Sequence, residues 1–194
     1  MKQRMCSLFL ALVLLLSLAV PAAAAGTMPF TDVKESDWFY SYVKTMYDNE
    51  LVSGTTPTTF SPQDTVTLGE ALKFILNAAG YTAPTTSGKN WASGYYQLAQ
   101  EKGFLNSSWS LGLNDAMNRL QIAELIVNVL GVERKQQTAT PFTDTSDVAA
   151  LILSDHGIFQ GTTERDGKTY FYPQRNISLA EISTVNCRGN EIKE

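Results

Sequence analysis

Val66-Thr67-Leu68-Gly69-Glu70 returns as Met117-Asn118-Arg119-Leu120-Gln121 and again as Ile177-Ser178-Leu179-Ala180-Glu181. Each copy reads as an apolar residue, then Thr, Asn or Ser, then Glu or Gln three places on. This is a capping box: the first polar side chain accepts from the N3 backbone N–H, and the Glu or Gln accepts from the N-cap N–H. The apolar residue before the cap can staple onto the first turn. An apolar-periodic run follows each copy, so three similar helices start here. The N1 position alone varies in character, being Leu68, Arg119 and Leu179.

Outward from the boxes the same order recurs. Phe30-Thr31-Asp32 comes back as Phe142-Thr143-Asp144, and Phe60-Ser61-Pro62 as Phe171-Tyr172-Pro173. Trp38, Tyr42, Val43, Met46 and Tyr47 make one helical stripe, which Trp91, Tyr95, Tyr96 and Ala99 reproduce. On that pattern the two tryptophans head apolar stripes and are read as core residues whose indole edge can line a groove. Leu51, Phe104 and Ile158 end the first helices at intervals of 53 and 54 residues. Gly80 and Gly131 close the second helices, while Gly54 and Gly161 are read as positive-φ glycines. Asp32 and Asp144 are read as turn or cap residues. Glu133 to Thr140 is polar and reads as a linker, and Asp166-Gly167 as a turn.

A unit of about 53 residues with two short helices cannot bury an adequate core alone, whereas three stacked units can. The expected fold is therefore one all-α domain of three helix-loop-helix repeats, at 26–82, 83–134 and 135–194.

Residues 1–25 read as a signal peptide. Lys2 and Arg4 precede an apolar stretch too short to span a bilayer, and Pro21 to Ala25 supplies small residues for cleavage. Removal changes the net charge from −4 to −6, because only Lys2 and Arg4 are lost from 15 Lys+Arg against 19 Asp+Glu. A mildly acidic chain with scattered charge carries no footprint for nucleic acid and no reason to dock on an anionic membrane. Cys187 is the one cysteine beyond the signal, which excludes an intrachain disulfide or a Cys-based metal site. His156, the single histidine, sits at a helix end as a cap or surface group. No nucleophile or metalloprotease motif accompanies it. No enzyme and no cofactor is expected.

Phe30-Thr31-Asp32-Val33, Asp37-Trp38, Ser53-Gly54-Thr55, Phe60-Ser61-Pro62 and Thr67-Leu68-Gly69-Glu70 resemble the S-layer homology motif. That motif runs roughly F-x-D-V, D-W, G-I-I-x-G, F-x-P, T-R-A-E. Residues 30–80 match well, 141–186 moderately and 88–131 weakly, without F-x-D or F-x-P. The resemblance implies a pseudo-three-fold spindle with a central helical bundle and three prongs. It also implies a secreted module that binds a secondary polymer of the Gram-positive cell wall, often carrying pyruvylated N-acetylmannosamine, in grooves between prongs. Carried over by position, the glycan-binding residues would be Arg119, Asp37, Trp38, Trp91 and Gly54. An Arg fork suits a carboxylate, and a helix N-terminus favours an anion. Arg119 is the single Arg at the motif slot, so at most one groove is expected to be fully equipped. Without the resemblance Arg119 reads as a solvated N1 residue. The alternative is a structural or protein-interaction module that has lost glycan binding.

Overall fold

The computed structural model of the chain describes residues 28–85, 90–135 and 140–190. The expected signal peptide, part of the linker and the last four residues lie outside them. Six helices carry the described fold: α1 Tyr40–Asp48, α2 Leu68–Ala78, α3 Ser93–Glu101, α4 Arg119–Leu130, α5 Val148–Asp155 and α6 Leu179–Asn190. A two-stranded antiparallel hairpin, β1 Thr162–Thr163 and β2 Thr169–Tyr170, turns at the positive-φ Gly167. The all-α expectation holds.

All three capping boxes form. Thr67 and Asn118 accept from Glu70 N–H and Gln121 N–H, and the same Glu70 and Gln121 side chains accept from the cap N–H groups. Ser178 and Glu181 bond reciprocally at 3.0 and 3.3 Å. Each box occupies only some of the free N–H groups of a helix start, and the others are met from outside the copy. Leu68 N–H and Gly69 N–H of α2 donate to the carbonyls of Asp115 and Leu113 in the second copy. Arg119 N–H and Leu120 N–H of α4 donate to Arg175 and Pro173 in the third. Leu179 N–H and Ala180 N–H of α6 donate to Asp64 and Pro62 in the first.

The residue before each cap joins the same rotation. Met117 N–H donates to Val66 O, Val66 N–H to Ile177 O, and Ile177 N–H to Met117 O. Three fully buried apolar residues thus close a ring of backbone hydrogen bonds. Helix packing follows the same order. The two helices of one copy do not pack together among the described residues; α2 packs on α3, α4 on α5, and α6 back on α1, while α2 also touches α4 and α6.

The paired Phe-Thr-Asp and Phe-x-Pro landmarks have one explanation. Asp32 accepts from Phe60 N–H and Ser61 N–H at 2.9 and 2.7 Å, and Asp144 from Phe171 N–H and Tyr172 N–H at 2.8 and 2.7 Å. These two aspartates therefore clamp a distant loop. Each clamped loop then turns through a left-handed residue, Ser61 or Tyr172, and buries its Phe against the first one, at ring centroids of 5.6 Å (Phe30–Phe60) and 5.2 Å (Phe142–Phe171). The second copy, which lacks both landmarks, uses a local bond from Gly112 N–H to Asp115 instead.

The tryptophans depart from expectation. Trp38 and Trp91 are 62% and 59% exposed. The chain is still in a turn at both positions, since α1 starts at Tyr40 and α3 at Ser93. The neighbouring Phe39 and Ala92 take the buried places.

Candidate functional site

Two grooves share one plan. The first is a cavity of about 330 Å³ lined by Val52 to Thr55, Phe60, Glu70, Lys73 and Phe74 of the first copy, Trp91 of the second and Leu179 of the third. The other, here the third groove, encloses about 250 Å³. It is lined by Ile158 to Thr162 and by Glu181, Thr184, Val185 and Arg188 of the third copy, Trp38 of the first and Arg119 of the second. Each is built from one copy's post-helix loop and second helix, the next copy's tryptophan and the preceding copy's N1 residue. Trp91 corresponds to Trp38, and Leu179 to Arg119.

The loop floor needs its glycine. Gly54 and Gly161 have φ of 79° and 69°. A Cβ on Gly54 would lie 2.5 Å from the Phe30 ring and 2.6 Å from Thr59 O, and one on Gly161 would lie 2.7 Å from the Phe142 ring. The loop is thus pressed onto the first Phe of its own copy, and no larger residue fits.

Arg119 is neither solvated nor free. It is 7% exposed. Its Nε donates to Phe171 O at 2.7 Å, and its guanidinium carbon lies 4.7 and 5.1 Å from the Phe159 and Phe171 ring centroids. Nη1 approaches Glu181 at 3.7 Å. Burial pushes the guanidinium pKa down to about 10, with Glu181 pulling it back up and Arg175 lowering it further. It therefore remains a cation at neutral pH, held on aromatic faces at the wall of the groove with Nη1 toward Glu181. Burial alone would raise the Glu181 carboxyl; bonds from Arg175 and Ser178 N–H, and the charge of Arg119, hold it below the usual carboxylate range. The α4 N-terminus itself offers no anion site, because the third copy's carbonyls already occupy its first N–H groups.

The expected site residues separate accordingly. Arg119 and Trp38 meet in the third groove, Trp91 and Gly54 in the first. Asp37 lines neither: it accepts from Lys34 N–H at 2.8 Å and shapes the turn before α1. Sequence reading missed Lys73, although its signal was present. Lys73, Glu124 and Thr184 all stand three residues after the capping-box Glu or Gln, one turn into each second helix. In the second copy that slot is covered by its own loop, with Trp109 Nε1 and Asn106 Nδ2 donating to Glu124 at 3.1 and 2.9 Å. Trp109 is thus a loop anchor. Among the described residues no group of His, Cys, Asp and Glu could hold a metal ion, and no helix is long and apolar enough to cross a membrane.

Comparison with known proteins agrees with the motif reading. Residues 29–72 match the S-layer homology domain. Over 206 aligned residues the chain is 32% identical to an endoglucanase of Bacillus sp. (strain KSM-635), covering 92% of this chain and 21% of that protein. It is 35% identical over 109 residues to the middle cell wall protein of Brevibacillus brevis (strain 47 / JCM 6285 / NBRC 100599), covering 56% and 10% of the two chains. The Surface-layer 125 kDa protein of Lysinibacillus sphaericus is 24% identical over 159 residues, or 75% of this chain and 13% of that one. The chain thus spans about a fifth or less of the length of these relatives. The match at residues 29–72 supports the S-layer homology family for that part of the chain.

Proposed function

We propose that the chain is a non-catalytic module, secreted and held at the cell wall by an acidic saccharide of a secondary wall polymer. The family match supports the anchoring role, and the surface-layer and cell wall names of the relatives support the location. Residues 26–82, 83–134 and 135–194 act as three copies of one motif, the second divergent, arranged as a pseudo-three-fold spindle. The observation that carries the binding reading is the third groove. An exposed Trp38, a buried cationic Arg119 and the Gly161 loop converge there from three copies. The guanidinium suits a carboxylate, and the indole face suits the apolar face of a sugar ring.

The test is co-sedimentation with cell-wall sacculi before and after extraction of the secondary polymer. Pelleting with intact walls and not with extracted ones is expected; no pelleting with intact walls would sink the reading. Two observations favour a second reading, a protein-interaction module without glycan binding. Arg119 already has an internal acceptor in Phe171 O, and Leu179 leaves the first groove without that charge. Saturable binding of purified polymer separates the two readings.

A further inference from the structure

Two places before the apolar residue of each capping box stand Asp64, Asp115 and Arg175. All three do the same backbone work, since their carbonyls accept from Leu179, Leu68 and Arg119 N–H in turn. Each therefore stands beside the N1 residue of another copy. The two acids accompany the two leucines, and the cation accompanies the one arginine. Stability alone would choose the reverse, because an Asp beside Arg119 would attract where Arg175 repels. That repulsion is part of what lowers the Arg119 pKa.

Glu181 gives the like-charge placement a reason. Arg175 takes both of its oxygens, Nη2 donating to Oε1 at 2.5 Å and Nη1 to Oε2 at 3.2 Å, while Ser178 N–H donates to Oε2 at 3.0 Å. Arg119 Nη1 stands 3.7 Å from Oε1, beyond hydrogen-bond length. Arg119 uses only Nε, on Phe171 O; among the described residues its Nη1 and Nη2 make no hydrogen bond. A buried guanidinium ordinarily takes the carboxylate beside it. Here that carboxylate is held short of it. Arg175 itself is half-exposed and is not among the residues lining the groove.

We propose that Arg175 is a positioning residue for the third groove: its fork holds Glu181 off Arg119, so that the Nη donors of Arg119 stay open to the acid group of a ligand. This rests on the wall-polymer reading and names what keeps that site receptive. Without the fork, Oε1 has only to close the remaining gap to reach Nη1, and the protein's own carboxylate takes the place of the ligand's. An acid would then bind only the fraction of molecules in which Glu181 had let go. The leucines at the other two N1 slots carry no charge to keep open, and Asp64 and Asp115 do no harm beside them.

Trp38 reports on the third groove, which it lines. Label the chain from residue 26 onward with ¹⁵N and follow the indole N–H signals during titration with the methyl glycoside of pyruvylated N-acetylmannosamine. Repeat the titration with the unpyruvylated glycoside. Arg175→Gln should weaken the acidic sugar about tenfold, as competition from an internal charge-assisted bond predicts, and leave the neutral sugar unchanged. A merely structural loss would weaken both. Glu181→Gln should bind the acidic sugar at least as tightly as the unsubstituted chain, since Gln121 makes the same cap in the second copy. In the Glu181→Gln background, Arg175→Gln should then change nothing. Thermal midpoints check that each variant is folded. A tenfold loss that persists in the double variant overturns the positioning role and leaves a plain effect of charge. Undiminished binding by Arg175→Gln overturns it outright, with the wall-polymer reading left standing. If the unsubstituted chain prefers the acidic sugar in no measure, the acid reading of the groove fails and this proposal falls with it.

Discussion

The two open grooves are built on one plan and differ at the positions that carry charge. In the third groove the cation is buried, clamped to Phe171 O and set in the corner formed by the Phe159 and Phe171 rings, which meet edge to face. In the first, Val52 stands where Phe159 stands, Leu179 where Arg119 stands, and the cation is a half-exposed Lys73. The lesson concerns cost. A buried guanidinium needs aromatic faces, a carbonyl acceptor and a nearby carboxylate all at once. Where one of these is missing, Leu at the same slot packs without penalty and charge can be supplied from the groove wall.

Direct substitution at the N1 slots gives the largest expected contrast. Arg119→Met leaves Phe171 O without its donor and should cost about 2–3 kcal/mol, a fall in thermal midpoint of several degrees for a chain of this size. Leu179→Met is volume-conserving and should cost less than about 1.5 kcal/mol. Equal costs in urea melts would show that Arg119 is not integrated as described. The next contrast is in acid. Glu181 has its folded pKa lowered, so the stability it contributes is present above the ordinary carboxylate range and is lost as pH falls through it. Glu181→Gln, which can still cap, should therefore flatten the acid limb of a stability–pH curve at a cost of about 1 kcal/mol near neutrality.

Leu179→Arg is the sharper probe of what the first groove lacks. Phe60 can offer one ring and one carbonyl, but Val52 offers no second face. The variant should tighten binding of the acidic sugar a few-fold while losing about 1 kcal/mol of stability. Gain without loss would mean that the second aromatic face is dispensable. Smallest in stability are Trp38→Ala and Trp91→Ala. Both residues are exposed, so each change should stay within about 0.5 kcal/mol. Each should weaken its own groove about fivefold, read calorimetrically with the acidic sugar, and spare the other, whose own tryptophan still reports its titration.

What sequence revealed and what it hid divides by range. The three helix starts were legible because a capping box is a contact over three residues, and Gly54 and Gly161 because positive φ is a local demand. Trp38 was misread because the stripe was counted from a residue that precedes the helix, and a one-residue shift hands the buried place to Phe39. The burial of Arg119 could not be read, because its two aromatic walls belong to a different copy. Nor could the service of each helix start by the next copy's carbonyls, since backbone acceptors leave no trace in residue identity. Lys73 was visible in the register of the capping boxes yet had no meaning until Trp91 was placed above it.

The ring of Val66, Met117 and Ile177 has a consequence for the order in which the molecule can be made. One of its bonds, Val66 N–H to Ile177 O, joins residues more than half the chain apart, so the loop-closure entropy of the ring falls on a few long-range contacts. A chain emerging from its N-terminus holds the first groove's loop and helix early, but must wait for Leu179 to finish that wall. Neither groove matures ahead of the other. Both grooves wait on residues of the third copy for a complete wall.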